Sequence, residues 1–193
     1  MQFIGEFSVE PQICERLIEL HRACDRKGLV KAGRLYARGQ EEAVVDLEKK
    51  ASFDVRVGDL PEELQNEYGV PLYIRELQRC TQEYLQRFPH LAKVAFKVTE
   101  SPLIQHYRPG GGFKAEHFER TNAATATRVL VWMTFLNDVT DAGGTRFVYQ
   151  DQTFAARRGR TLIWPPDFTH THVGVVSPSQ HKYIITGWFN FVA

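Results

Sequence analysis

A chain of 193 residues, 43% hydrophobic and 24% charged, is long enough for one ordinary globular domain and too short for two full ones. Its net charge of +1 supplies no general pull on nucleic acid or a membrane surface, and no run approaches the roughly 18 consecutive apolar residues of a membrane span. Cys14, Cys24 and Cys80 are odd in number, lack metal-type CxxC spacing and follow no recognisable secretory leader, which points to a reducing, cytoplasmic setting.

Pro11 suits the first turn of a helix, and Ile13, Leu17, Ile18 and Leu20 recur behind it at helical spacing. The pattern predicts a helix to about Arg26 that stops by Gly28. Residues 29–58 are ambiguous: 34–37 and 43–47 read equally as short strands or as a charged loop. Leu60-Pro61-Glu62 marks a second helix start. Leu72, Ile74, Leu77, Tyr84 and Leu85 predict a third, longer helix over 71–88. Near residue 93 the character changes to alternating β-branched and aromatic residues punctuated by Gly and Pro. Short strands are expected in 93–100, 102–108 and 113–119, the last entered through a Gly-rich turn at 110–112. The apolar run 128–136, then 145–150, 161–166, 171–176 and 182–192, complete a set spread over about 100 residues, which suggests a sandwich or barrel. The expected organisation is one domain over 1–193, with helical support and variable loops in 1–92 and a β core in 93–193.

His117-Phe118-Glu119 places an imidazole and a carboxylate two residues apart, so a strand directs both to one face. His172, 55 residues later, offers a second imidazole from a distant strand. Two imidazoles and one carboxylate on one side of a metal leave positions open for small ligands. Lys182 follows His172 by ten residues across Ser177-Pro178-Ser179-Gln180. This spacing predicts a hairpin that brings a lysine beside the histidine, where it can pair with a buried anion.

Residues 103–191 resemble the prolyl 4-hydroxylase-like group of the 2-oxoglutarate and Fe(II)-dependent oxygenases. The likeness rests on several pieces in order: Tyr107-Arg108-Pro109-Gly110-Gly111 with Phe113; the His117/Glu119 pair; the strand from Arg128 to Leu136 followed by Asn137-Asp138. Gly143-Gly144-Thr145-Arg146-Phe147, Gly159-Arg160-Thr161-Leu162-Ile163-Trp164, and His172, Gly174, Lys182, Thr186 and Trp188 complete it. The resemblance implies an α+β, mainly β fold, a double-stranded β-helix or jelly-roll braced by N-terminal helices. It implies Fe(II) on His117, Glu119 and His172, with 2-oxoglutarate as co-substrate bound by Lys182, and molecular oxygen as oxidant. Tyr107 and Thr186 would assist Lys182. Val131, Met133 and Phe135 share one strand face and would form an apolar wall, and Trp188 and Arg128 would belong to the substrate pocket. The expected activity is hydroxylation of a C–H bond in a prolyl or other residue of a peptide or protein, with release of succinate and carbon dioxide. The competing readings are a free amino acid or small-molecule substrate and a non-catalytic jelly-roll that binds a carboxylate. No nucleic-acid or membrane partner is expected.

Glutamate stands at 119 where the group commonly has aspartate, and Phe135 where relatives often have tyrosine. His170 competes with His172 for the third ligand position; the group's separation between histidine and cation selects His172 and leaves His170 at the pocket mouth. Alternation turns His106 and His181 away from Tyr107 and Lys182, and turns Glu116 to solvent. The cluster Arg157-Arg158-Gly159-Arg160 reads as a solvated turn.

Overall fold

Phe7 and Val9 alternate with polar neighbours just long enough to add a strand, β1 (Gly5–Ser8), before Pro11 opens α1 (Pro11–Arg26). In the computed structural model, which describes residues 3–36 and 42–192, a run of short strands follows: β2 (Lys31–Ala32), β3 (Leu35–Tyr36), β4 (Ala43–Val44) and β5 (Phe53–Arg56). Two helices come next, α2 (Glu62–Glu67) and α3 (Val70–Arg87). The rest is strand: β6 (Phe96–Lys97), β7 (Leu103–Tyr107), β8 (Arg128–Phe135), β9 (Thr145–Phe147), β10 (Gln152–Phe154), β11 (Arg160–Trp164), β12 (His172–Gly174) and β13 (Lys182–Phe191). Among the described residues no helix is long and apolar enough to cross a membrane.

Two antiparallel sheets face each other. The larger runs β1-β11-β8-β13-β7-β5-β2, with β6 paired to the end of β13; the smaller runs β10-β9-β12. Strand alternation divides the apolar residues between two cores. Leu130 and Trp132 of β8 and Tyr183, Ile185 and Phe189 of β13 pack toward α1 and α3, against Leu17, Leu20, Tyr73, Leu77 and Tyr84. Val131, Met133 and Phe135 of β8 and Ile184 of β13 turn the other way, onto Phe147, Phe154 and Trp164. Fully burying side chains of this size contributes about 1.5–3 kcal/mol each, so both layers are well supported. Gly187 faces Trp132 across the β8–β13 pair, and an added Cβ would stand 2.4 Å from the indole.

The architecture is the mainly β jelly-roll with N-terminal helices that the resemblance implies, and α1 spans the expected residues. Several details differ. The stretch 34–37 contributes β3, which pairs with β4 in a two-stranded ribbon; Ala37 lies outside the described residues. In α3 the buried face runs through Tyr73, Leu77, Cys80 and Tyr84, while Leu72 is exposed. Residue 93 is no boundary between support and core, because β1, β2 and β5 all join the larger sheet. Residues 113–119 form no regular strand and make only single bridges, Lys50 with Phe113 and His117 with His172. The hairpin expected between His172 and Lys182 is also absent: β12 belongs to the small sheet and β13 to the centre of the large one. The turn between them crosses the cleft, so the two side chains approach from opposite walls.

A chain of hydroxyls ties α3 to the large sheet. The Tyr73 hydroxyl is 2.8 Å from Thr134 Oγ1, which is 2.7 Å from Thr161 Oγ1, and Thr161 donates to the Gly159 carbonyl at 3.1 Å. Tyr73→Phe removes one buried hydrogen bond and leaves Thr134 partnered by Thr161. The expected loss is about 1–2 kcal/mol, read as a lower urea midpoint at unchanged slope.

Candidate metal centre

His117 and His172 are brought together by their own backbones. His117 N–H donates to the His172 carbonyl at 3.0 Å and His172 N–H to the His117 carbonyl at 2.9 Å, the reciprocal pair of an antiparallel bridge. Each imidazole then donates Nδ1–H to a carbonyl two residues earlier, His117 to Ala115 at 2.9 Å and His172 to His170 at 3.0 Å. A carbonyl can only accept, so Nδ1 carries the proton and the Nε2 lone pair is left for a metal. Phe113 stacks on the His117 ring at 3.5 Å, and Phe147 and Trp164 flank His172 at 5.4 and 5.2 Å. Both rings are therefore held by packing as well as by hydrogen bonds.

Glu119 completes the group. Its Oε1 lies 3.5 Å from Nε2 of both histidines, and the three ligand atoms all fall within 4.8 Å of one another. Although 113–119 is irregular, the two-residue spacing still turns His117 and Glu119 the same way. Burial by itself raises the Glu119 pKa, but the two imidazoles beside it outweigh that and hold the carboxyl well below its usual range. Burial, with His172 beside it, depresses His117. The set is a carboxylate with an imidazole lone pair from each side, the donor combination for a divalent transition metal.

The triad opens on a cleft of about 1020 Å³ between the sheets, which also admits Tyr107, Met133, Lys182, Thr186, Trp188 and Arg128. Lys182 is buried, its Nζ 3.5 Å from the Val175 carbonyl and 4.9 Å from the centre of the Tyr107 ring. No acidic side chain among the described residues pairs with it. Burial pushes its pKa down to about 8. A buried ammonium without a counter-ion is a receptor for an anion, and the apolar wall of Met133 and Ile184 leaves the incoming anion few competitors.

The remaining expectations fare unevenly. Tyr107 donates its hydroxyl to Gln105 Oε1 at 2.8 Å and Thr186 to the Trp132 carbonyl at 2.8 Å, so both hydroxyl protons are already engaged, although the Tyr107 ring lies beside Lys182. Phe135 is wholly buried behind the wall rather than at the cleft surface. Trp188 and Arg128 line the cleft as expected, and there they also reach Glu119. His170 is not at the mouth; its buried ring sits 6.4 Å from Phe3 and only its carbonyl serves the site. Glu116 is exposed, His106 and His181 hydrogen-bond each other at 2.8 Å, and Arg160 pairs with Glu6 at 2.8 Å. Sequence reasoning missed a buried network along one wall: Lys50 Nζ 3.2 Å from Asp54, and Gln105 donating to Asp54 at 3.1 Å. An aspartate in the alternating run Phe53-Asp54-Val55 was its one visible signal.

A two-sheet jelly-roll with a His-x-Glu and a distant His at its open cleft defines a class of metal-dependent oxygenases. Residues 102–190 match the model of the 2OG-Fe(II) oxygenase superfamily, and the fold is prolyl 4-hydroxylase-like. The structure is similar to a Trichoplax adhaerens prolyl hydroxylase solved with a hypoxia-inducible-factor peptide fragment (15% identity, TM-score 0.76, 99% of this chain and 84% of that one). It is also similar to a Pseudomonas putida prolyl-4-hydroxylase (15%, 0.68, 98% and 94%). A third likeness is to a viral collagen prolyl hydroxylase of Paramecium bursaria Chlorella virus-1 in its 2OG complex (17%, 0.65, 99% and 97%). No curated protein matches the chain. The superfamily implies Fe(II), 2-oxoglutarate and molecular oxygen, and the donor set and the buried Lys182 fit the first two.

Lys182 gives the cleft a pH signature. Above pH about 8 the free protein holds it neutral, so a carboxylate ligand must bind together with a proton. Affinity of the metal-loaded protein for 2-oxoglutarate is expected to be level below pH 8 and to fall toward tenfold per unit above it. Calorimetry in buffers of different ionisation enthalpy should show proton uptake there, and Lys182→Met should lose both the affinity and its pH dependence.

Proposed function

We propose that this protein is an Fe(II)- and 2-oxoglutarate-dependent dioxygenase that hydroxylates a prolyl or other residue of a peptide or protein. The observation that carries the reading is the meeting, in one cleft, of the His117–Glu119–His172 group with a buried lysine that has no acidic partner among the described residues. His117, Glu119 and His172 would hold the iron, and Lys182 would pair with the distal carboxylate of the keto acid. When bound, iron and 2-oxoglutarate supply an oxidative decarboxylation, giving succinate and carbon dioxide, coupled to oxygen transfer into a C–H bond. The chain's own part is to orient and to exclude water. Phe113 and Phe147 fix the imidazoles, and Met133 and Ile184 keep the wall behind the keto acid dry.

A macromolecular substrate is supported by the size and course of the cleft. At about 1020 Å³ it exceeds what a five-carbon diacid fills, and it continues past Leu103 and Leu35 toward the edge of the large sheet. The peptide carried by the Trichoplax neighbour and the collagen substrate named for the viral one are consistent with that shape. A reducing compartment such as the cytoplasm suits the three cysteines, which are all buried free thiols.

The test is anaerobic titration of 2-oxoglutarate into the Fe(II)-loaded protein, following the visible charge-transfer absorption of the chelate. The absorption should appear with the wild-type chain and be lost in His172→Ala, and proline-containing peptides should then drive succinate release. Binding of 2-oxoglutarate without that absorption would instead identify a carboxylate-binding jelly-roll and end the enzymatic reading.

A further inference from the structure

Glutamate at the acidic ligand position raises a physical problem that the structure answers. Compared with aspartate it has one more rotatable bond, and a freely swinging carboxylate can give both oxygens to one ion. Either outcome would blur a site whose use depends on keeping positions open. Glu119 does not swing. Trp188 Nε1–H donates to its Oε2 at 3.0 Å, and Arg128 Nη1 lies 3.4 Å from the same oxygen. Arg128 Nη1 also donates to the Glu119 backbone carbonyl at 2.7 Å, and Glu119 N–H donates to the Pro166 carbonyl at 2.9 Å. Residue 119 is thus gripped at its main chain and at one carboxylate oxygen.

The gripping groups are themselves fixed. Arg128 is 5% exposed and makes two parallel hydrogen bonds to Glu100, at 2.8 and 2.6 Å. Its guanidinium lies 3.8 Å over the Trp188 ring. Trp188 stands on β13 opposite Val131 of β8, so its backbone is fixed by the sheet. Arg128 therefore shares its charge between Glu100, which holds it, and Glu119, which it holds. Oε1 alone remains directed at the two imidazoles.

We propose that Trp188 and Arg128 are positioning residues that hold Glu119 by Oε2 and so present Oε1 alone to the metal, which lets a glutamate serve in this triad. The inference rests on the metal-binding reading above and adds to it two residues that touch neither ion nor keto acid.

The test is a double-mutant cycle on metal affinity, measured anaerobically by calorimetry with Co(II) and Mn(II). Trp188→Phe keeps an aromatic ring near Arg128 and removes the Nε1–H together with part of the indole. Placed on Glu119, it should weaken binding by about 10–100-fold and change the visible Co(II) spectrum. Placed on Glu119→Asp, whose shorter stem withdraws from Nε1, it should change affinity by less than about threefold. Arg128→Lys, which keeps charge but not the planar fork, is a second probe with the same expectation. Thermal unfolding of each metal-free variant separates these effects from loss of fold. Equal weakening in both backgrounds would show that Trp188 only packs, and unchanged affinity on Glu119 would remove any role; either overturns the proposal. A wild-type chain that takes up neither ion would overturn the metal-binding reading along with it, a result distinct from both.

Discussion

The reciprocal pair of backbone hydrogen bonds between His117 and His172 is the contact on which the site depends. Residue 117 lies in an irregular stretch and residue 172 at the start of a three-residue strand, so neither has an extended ladder to hold it. Two N–H···O=C bonds at 3.0 and 2.9 Å fix the separation of the chains. The Nδ1 hydrogen bonds and the stacked Phe113 then leave each ring one orientation.

The central strands serve two layers at once. On β13, Tyr183, Ile185 and Phe189 bind the sheet to its helices, while Lys182, Ile184, Thr186 and Trp188 alternate with them toward the cleft. The register of a single strand therefore sets the helix packing, the buried cation and the partner of Glu119 together. A slip of one residue would carry Lys182 into the helix-facing core and Tyr183 into the cleft. Such coupling gives the cleft the rigidity of the main core without a separate set of supports.

Much of this was legible from residue order. Pro11 with its apolar series marked α1, and the unbroken run 128–136 marked the fully buried β8. His117, Glu119, His172 and Lys182 stood out because each carries unusual chemistry at a consistent separation. The strands β1, β2 and β5 did not stand out, since two to four residues scarcely cover a strand's period. The crossing between β12 and β13 was misread as a hairpin because a Ser-Pro-Ser-Gln turn suits both, and only long-range pairing chooses between them. Lys50 sits in a Lys-Lys pair with no local mark of burial, yet Asp54 and the Arg34 carbonyl receive it in the interior. Trp188 read as pocket or core, because nothing local reveals that a loop 69 residues earlier brings a carboxylate to its indole.

The lone ammonium of Lys182 bears on more than recognition. Holding it buried with no counter-ion among the described residues, with its pKa drawn down to about 8, leaves the free chain less stable than its packing alone would make it. An anion that pairs with Lys182 relieves that deficit and binds the folded form only, adding about 2.7 kcal/mol to stability at a hundredfold excess over its dissociation constant. For a domain of marginal stability this is a large share of the whole. Occupancy of the cleft would thus be read out as resistance to unfolding, independently of any turnover.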